Sequence, residues 1–140
     1  DAAELILIQN MSFEEDYNLY GECPAYNEPL VRMRETIKDA FVYKIIVDRV
    51  LVGDMIIRKR DDGSRYLRVL AIVPEYQNKG IGSKAIRLAE AEHSDASFWN
   101  LITPASNNRN CHFYERMGYR KVGEIVESDL LTLVEYRKDS

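Results

Sequence analysis

Cysteine is scarce in this sequence. The two residues, Cys23 and Cys111, lie far apart. They cannot form a disulfide framework, and the expectation for both is a free thiol in a reducing, cytoplasmic setting. Long apolar runs are absent. Leu5-Ile6-Leu7-Ile8 is too short for a membrane span of roughly 20 residues and too short for a signal peptide core. There is no surplus of positive charge. The 19 Lys and Arg stand against 23 Asp and Glu, a net charge of −4, which argues against nucleic acid as the main partner. Repeats, low-complexity runs and linkers are missing too, so residues 1–140 read as one domain around one core. No metal site is expected. The phosphate-binding pattern G-x-x-x-x-G-K-[ST] is not present, which removes a Walker A loop.

What is present centres on Tyr66 to Glu92. Leu67 to Val73 is a short, mostly apolar run, as expected of a buried central strand. Pro74 ends it, because proline cannot donate to a ladder. From Ile81 the apolar residues Ile81, Ala85, Leu88 and Ala89 fall at helical spacing. Between strand and helix lies Gln77-Asn78-Lys79-Gly80-Ile81-Gly82. Glycines let backbone turn tightly and let a ligand approach. The first turn of a helix has N–H groups without intrahelical partners, and its dipole favours an anion. Lys79 adds a full positive charge. A phosphate or pyrophosphate suits such a nest, although a plain strand-to-helix turn would use the same glycines. The letters also match G-x-G-x-x-[GA]. However, no acidic residue ends a following strand about 20 residues on and no β-α-β repeat surrounds the stretch, so a dinucleotide site is not indicated.

The segment Leu70 to Ser83 resembles the acyl-coenzyme A site of the GNAT superfamily of N-acetyltransferases, which carries (Q/R)-x-x-G-x-(G/A) after an apolar strand and a proline. A second block, Asn107 to Tyr119, is similar to that family's N-x-x-A-x-x-F-Y-E-x-x-G-F segment, with Asn110 in place of alanine and Tyr119 in place of phenylalanine. The two blocks stand in the family's order and separation. The resemblance implies an α/β (α+β) fold, with a mostly antiparallel mixed sheet of about seven strands and four helices in the order β-α-α-β-β-β-α-β-α-β-β. It also implies an N-acetyltransferase that moves an acetyl group from acetyl-CoA to a primary amine, by direct attack in a ternary complex.

Elements along the chain fit that order. Glu4 to Asn10 is β-rich and reads as a first strand. Ser12-Phe13-Glu14-Glu15 forms a capping box that would open a helix running toward Tyr20. Residues 21–29 read as loop. Leu30, Met33, Ile37 and Ala40 give a second helical stripe. Strands are expected over Phe41 to Val47 and Val50 to Arg58, turning at Asp48-Arg49, and Asp62-Gly63 signals the next hairpin. Arg58, Lys59, Arg60 and Arg65 read as a solvated hairpin tip balanced by Asp61 and Asp62. Phe98 to Thr103 is a further strand, broken by Pro104. Ser106 or Asn107 would cap the next helix, and Gly118 would close it. Strands at Arg120 to Val126 and Leu130 to Arg137 complete the sheet.

Site roles follow from the resemblance. The cofactor-binding set is Leu70, Ala71 and Ile72, which would meet the pantetheine through their main chain, then Gln77, Asn78, Lys79, Gly80, Ile81, Gly82 and Ser83 around the pyrophosphate, and Asn107. Tyr114 stands where the family places a tyrosine that protonates the departing thiolate. Its bare spacing with Cys111 and Met117 would equally describe a core face. A general base is not assigned. The positions that carry a glutamate in many relatives hold Tyr66 to Arg68 and Ile102 here, Glu75 reads as an exposed loop residue, and His93 and His112 read as solvated. Glu14, Glu15, Asp16, Tyr17, Glu22, Tyr26 and Glu28 would suit a cationic amine or an ordinary surface. The rival reading is a catalytically inactive acyl-CoA-binding sensor. Others are transfer of a larger acyl group and acetylation of a protein N-terminus. The partners implied are acetyl-CoA and the amine acceptor, with neither nucleic acid nor membrane; a homodimer is left open.

Overall fold

The computed structural model describes residues 2–20 and 30–139, and within these the side chains of 2–12 and 32–139. The expected loop over 21–29, Cys23 and the side chains of Glu14, Glu15, Asp16 and Tyr17 lie outside the described set.

The chain begins with a helix, α1 (Ala2–Tyr20), in place of the strand expected over Glu4 to Asn10. The buried residues there are Ala2, Leu5, Ile8 and Gln9, a helical stripe, whereas Leu7 in the middle of the apolar run is 60% exposed. Packing of that stripe overrides the β-propensity of the two isoleucines. Ser12 is consequently not an N-cap. It sits inside α1, and its Oγ donates back to the Ile8 carbonyl at 2.8 Å. Among the described residues the sheet has six strands, against the expected seven or so.

Helix α2 (Leu30–Asp39) follows, then β1 (Phe41–Val47), β2 (Val50–Lys59) and β3 (Arg65–Ile72). Asp48 and Arg49 both take positive φ, 50° and 68°, the geometry of a tight two-residue hairpin. A short 3-10 turn (Pro74–Tyr76) leads to α3 (Ile81–Glu92), β4 (Phe98–Pro104), α4 (Asn108–Arg116), β5 (Arg120–Val126) and β6 (Thr132–Asp139). Pro104 is the last residue of β4, opposite Leu133, and does not stand outside it. In α3 the buried face is Ala85, Ile86 and Ala89, while Leu88 points outward.

The strand order is β1-β2-β3-β4-β6-β5. All neighbours are antiparallel except β3 and β4. Each face of the sheet carries its own core. Leu5 and Met33 of α1 and α2 meet Ile56, Val69 and Ala71 on one side. Ile86 of α3 and Tyr114 of α4 meet Met55, Ile57, Leu67 and Leu101 on the other. The alternation Met55, Ile56, Ile57 along β2 feeds the two cores in turn.

Candidate functional site

Two irregularities in β3 shape the centre of the sheet. The first is a bulge. Ile56 pairs with Val69 and Ile57 with Leu67, so Arg68 is an extra residue in β3. The bulge switches faces: Leu67 packs in the α3/α4 core, but Val69 and Ala71 pack under α1 and α2. The second is an early end to pairing. β3 and β4 are joined only at Arg65–Trp99 and Tyr66–Asn100. Beyond that point β3 stays paired to β2 and β4 to β6, and the facing edges part.

The hydrogen-bond phase decides which β3 groups face the opening. Val73 N donates to Val52 O at 2.9 Å. Counting back in an antiparallel ladder, Ala71 and Val69 turn their backbone groups to β2, while Leu70 and Ile72 turn theirs to the open edge. Of the three main-chain contacts expected, Leu70 and Ile72 therefore line the opening and Ala71 does not. Gly53 tightens this arrangement, because a Cβ there would lie 2.1 Å from the Ala71 carbonyl oxygen.

The glycine loop lies at the end of the same strand. Asn78 (φ 61°) and Gly80 (φ 80°) are left-handed, and Gly80 is the N-cap of α3. No side chain caps that helix start, so the N–H groups of Ile81, Gly82 and Ser83 keep no intrahelical partner. Lys79 is exposed, with its Nζ 6.0 Å from the centre of the Tyr76 ring. Gln77 is occupied within the protein. Its Nε2 donates to Ile72 O at 2.8 Å, and its Oε1 accepts from Arg109 Nη1 at 2.5 Å. Gly82 faces α4, where a Cβ would stand 3.3 Å from the Phe113 ring.

Helix α4 is capped by Asn107, whose Oδ1 accepts from Asn110 N at 3.1 Å. Its buried face is Cys111 and Tyr114. Tyr114 is 8% exposed, in an aromatic cluster with Phe113, Tyr119 and Tyr136, and in the same core as Leu67 and Leu101. Burial pushes its hydroxyl above the ordinary tyrosine range, so it holds its proton at neutral pH.

Two sequence expectations are corrected. His93 is buried, not solvated. Its Nδ1 accepts from Arg65 Nε at 3.0 Å and its Nε2 lies 2.9 Å from Tyr43 Oη. Burial first, and the Arg65 charge second, hold its pKa below the ordinary histidine value, so the ring is neutral and Nε2 carries the hydrogen that Tyr43 accepts. Arg65 is likewise not part of a solvated tip. It is 3% exposed and also donates to Asp95 Oδ1 and Gly63 O. The cluster sits where β3 and β4 still pair, at the closed end of the opening. His112 and Glu75 are exposed, as expected. Among residues that the sequence does not signal, Gln9 and Asp54 are both fully buried and joined at 2.7 Å between α1 and β2. Spacing gives no hint of either group, since the partners lie far apart in the chain. Among the described residues, no group of His, Cys, Asp and Glu could hold a metal ion, and no helix is long and apolar enough to cross a membrane.

Comparison with known proteins agrees with this geometry. Residues 8–119 match the model of the Acetyltransferase (GNAT) family. The chain is 30% identical over 99 residues to the uncharacterized protein YrkN of Bacillus subtilis (strain 168), covering 68% of this chain and 54% of that protein, so it spans about half the length of that relative. An acetyltransferase from Thermus thermophilus superposes with a TM-score of 0.79 at 19% identity, over 100% of this chain and 91% of the other. The PaiA N-acetyltransferase from Thermoplasma acidophilum in complex with coenzyme A gives 0.77 at 18% identity, over 100% and 93%. At these identities the two superpositions establish the fold alone. The family match runs from α1 to the residue that follows the Gly118 turn, taking in every element that borders the open strand edge; the chain belongs to the acetyltransferase (GNAT) family.

Proposed function

We propose that the protein is an N-acetyltransferase that uses acetyl-CoA as cosubstrate and a primary amine as acceptor. The observation that carries this reading is the open edge of β3, with Leu70 and Ile72 turned to it, running into the glycine loop at the start of α3. Pantetheine is an extended chain with two amides, and an unpaired strand edge can pair with it as with an added strand. The pyrophosphate at its end is an anion, and the left-handed Asn78 and Gly80 with the uncapped first turn of α3 suit an anion.

In the proposed reaction the neutral amine attacks the thioester carbon. The nitrogen, positively charged after attack, sheds a proton to water, the carbon–sulfur bond breaks, and the sulfur leaves as a thiolate that takes a proton from the Tyr114 hydroxyl, which water then restores. Backbone N–H groups on the β3 edge polarise the thioester carbonyl. The Tyr114 hydroxyl carries a proton at neutral pH and so is available as the donor, although its burial makes that proton harder to give up. No base is assigned. Asp54 is fully buried against α1 and hydrogen-bonded to Gln9, and Glu75 is exposed in the 3-10 turn. No base being placed among the described residues, the amine in this proposal arrives neutral or loses its proton through water. The deciding experiment is coenzyme A thiol release with acetyl-CoA over a panel of primary amines. Release above background with at least one amine is expected. Tight binding of acetyl-CoA with no release for any amine would favour a catalytically silent binding module instead.

A further inference from the structure

Gln77 begins the loop pattern that resembles a ligand contact, yet both ends of its carboxamide are used inside the protein. The bonds form a continuous bracket from the end of β3 (Ile72 O), through the loop (Gln77), to the first turn of α4 (Arg109). Arg109 itself is exposed. A guanidinium carries five N–H donors in a rigid fork, and the bond to Gln77 uses one. The Gly82–Phe113 approach shows separately that the start of α3 lies against α4. Arg109 and Lys79 are thus two exposed cations beside one loop in a chain with net charge −4.

We propose that Arg109 is a specificity-determining contact for the phosphorylated end of the acyl carrier, and that Gln77 is the positioning residue that aims it. This rests on the acyl-CoA reading given above. The fork geometry of arginine matches phosphate oxygens, which a point charge such as lysine does not reproduce. An arginine already tethered by Gln77 also loses less side-chain freedom when a phosphate arrives. Gln77 then contributes to ligand recognition without touching the ligand.

The test compares acetyl-CoA with acetyl-pantetheine, which has the same thioester and amides but no phosphate. The quantity read is the ratio of kcat/KM for the two carriers. Arg109→Ala should lower that preference about tenfold, the effect of losing one charge-assisted hydrogen bond. Arg109→Lys should recover part of it. Gln77→Ala should also lower it, and the double variant should fall no further than Arg109→Ala, because the two act as one unit. Added salt should erode the preference of the wild type more than that of Arg109→Ala. Equal losses for both carriers in Arg109→Ala, or an unchanged ratio, would overturn the assignment of Arg109. Fully additive effects of the two substitutions would overturn the role of Gln77. A wild type with no preference for acetyl-CoA would instead remove the acyl-CoA reading beneath both.

Discussion

Replacing Gly82 separates two reasons for a glycine that the bare pattern cannot tell apart. Gly80 and Gly82 are both part of the loop, but only Gly80 has positive φ (80°), and a Cβ there would meet nothing within 4 Å. Gly82 has the opposite constraint. Its Cβ would touch Phe113 Cζ at 3.3 Å and Cε1 at 3.6 Å, with Leu70 Cδ2 at 4.0 Å. Gly82→Ala asks the Phe113 ring to shift by a few tenths of an ångström, offset by the gain of alanine over glycine in a helix, so the net effect should be within about 1 kcal/mol. Gly82→Val adds two further methyl groups against the same ring, and overpacking of that size costs about 1–3 kcal/mol. Gly80→Ala meets no atom but forces an L-residue into the left-handed region, at about 1–2 kcal/mol. Urea unfolding with calorimetric titration of acetyl-CoA reads both properties. We expect Gly82→Val to lose stability and affinity together, and Gly82→Val with Phe113→Leu to regain stability while affinity stays low. If the double variant also regained affinity, Gly82 would serve packing alone. If Gly82→Val kept full stability, the contact with Phe113 would be misjudged.

Tyr114→Phe keeps the ring in its aromatic cluster, so thermal stability should change little, while turnover should fall roughly 100-fold if the hydroxyl is the acid. The defect should shrink with an acyl donor whose thiol is more acidic, and an unchanged kcat with chemistry rate-limiting would return Tyr114 to the core. Buried His93 is held neutral, with Arg65, Asp95, Glu92 and Tyr43 around it. Its folded pKa lies below the unfolded value of about 6.5, so its contribution to stability is complete above that pH and is lost as pH falls through and below it, since the unfolded chain takes the proton first. Urea midpoints should drop on acidification, and a drop of equal size in His93→Gln would exclude His93 as the cause. The kcat/KM profile on the best amine should rise with pH as the neutral amine fraction grows, and Glu75→Gln should lower it only modestly; loss of the acidic limb in that variant would instead identify Glu75 as the base.

Much of the architecture is open to reading from the sequence because its signals are local. The two-residue turn at Asp48-Arg49, the glycine entry to α3, the Asn107 cap and the Gly118 stop each act within a few residues, and the elements they bound fall at or close to the expected positions. The start of α1 misleads because Leu5 to Ile8 is apolar at every position, which suits either period; only the buried stripe of Ala2, Leu5, Ile8 and Gln9 decides between them. The bulge at Arg68 and the parting of β3 from β4 have no local signature, since each is a property of a strand pair. The usual behaviour of charged and polar residues places Arg65 and His93 in solvent. Their burial depends on each other and on Tyr43 and Asp95, which come from elements far apart in sequence. Gln77 and Arg109 are visible as residue types, but the bond between them arises where a loop and a helix meet.

The bulge in β3 has a consequence for the entropy of ligand capture. Leu70 packs toward the α3/α4 core, whereas its neighbours Val69 and Ala71 are locked under α1 and α2. The stretch that turns Leu70 and the Ile72 N–H to the open edge is therefore clamped from above and below at successive residues. Free strand edges elsewhere in proteins fray, and ordering about 1–2 kcal/mol worth of backbone freedom per residue would weaken any guest that had to do it. Here that ordering is completed when the protein folds, and a pantetheine-like chain would meet an edge already set in its bound shape.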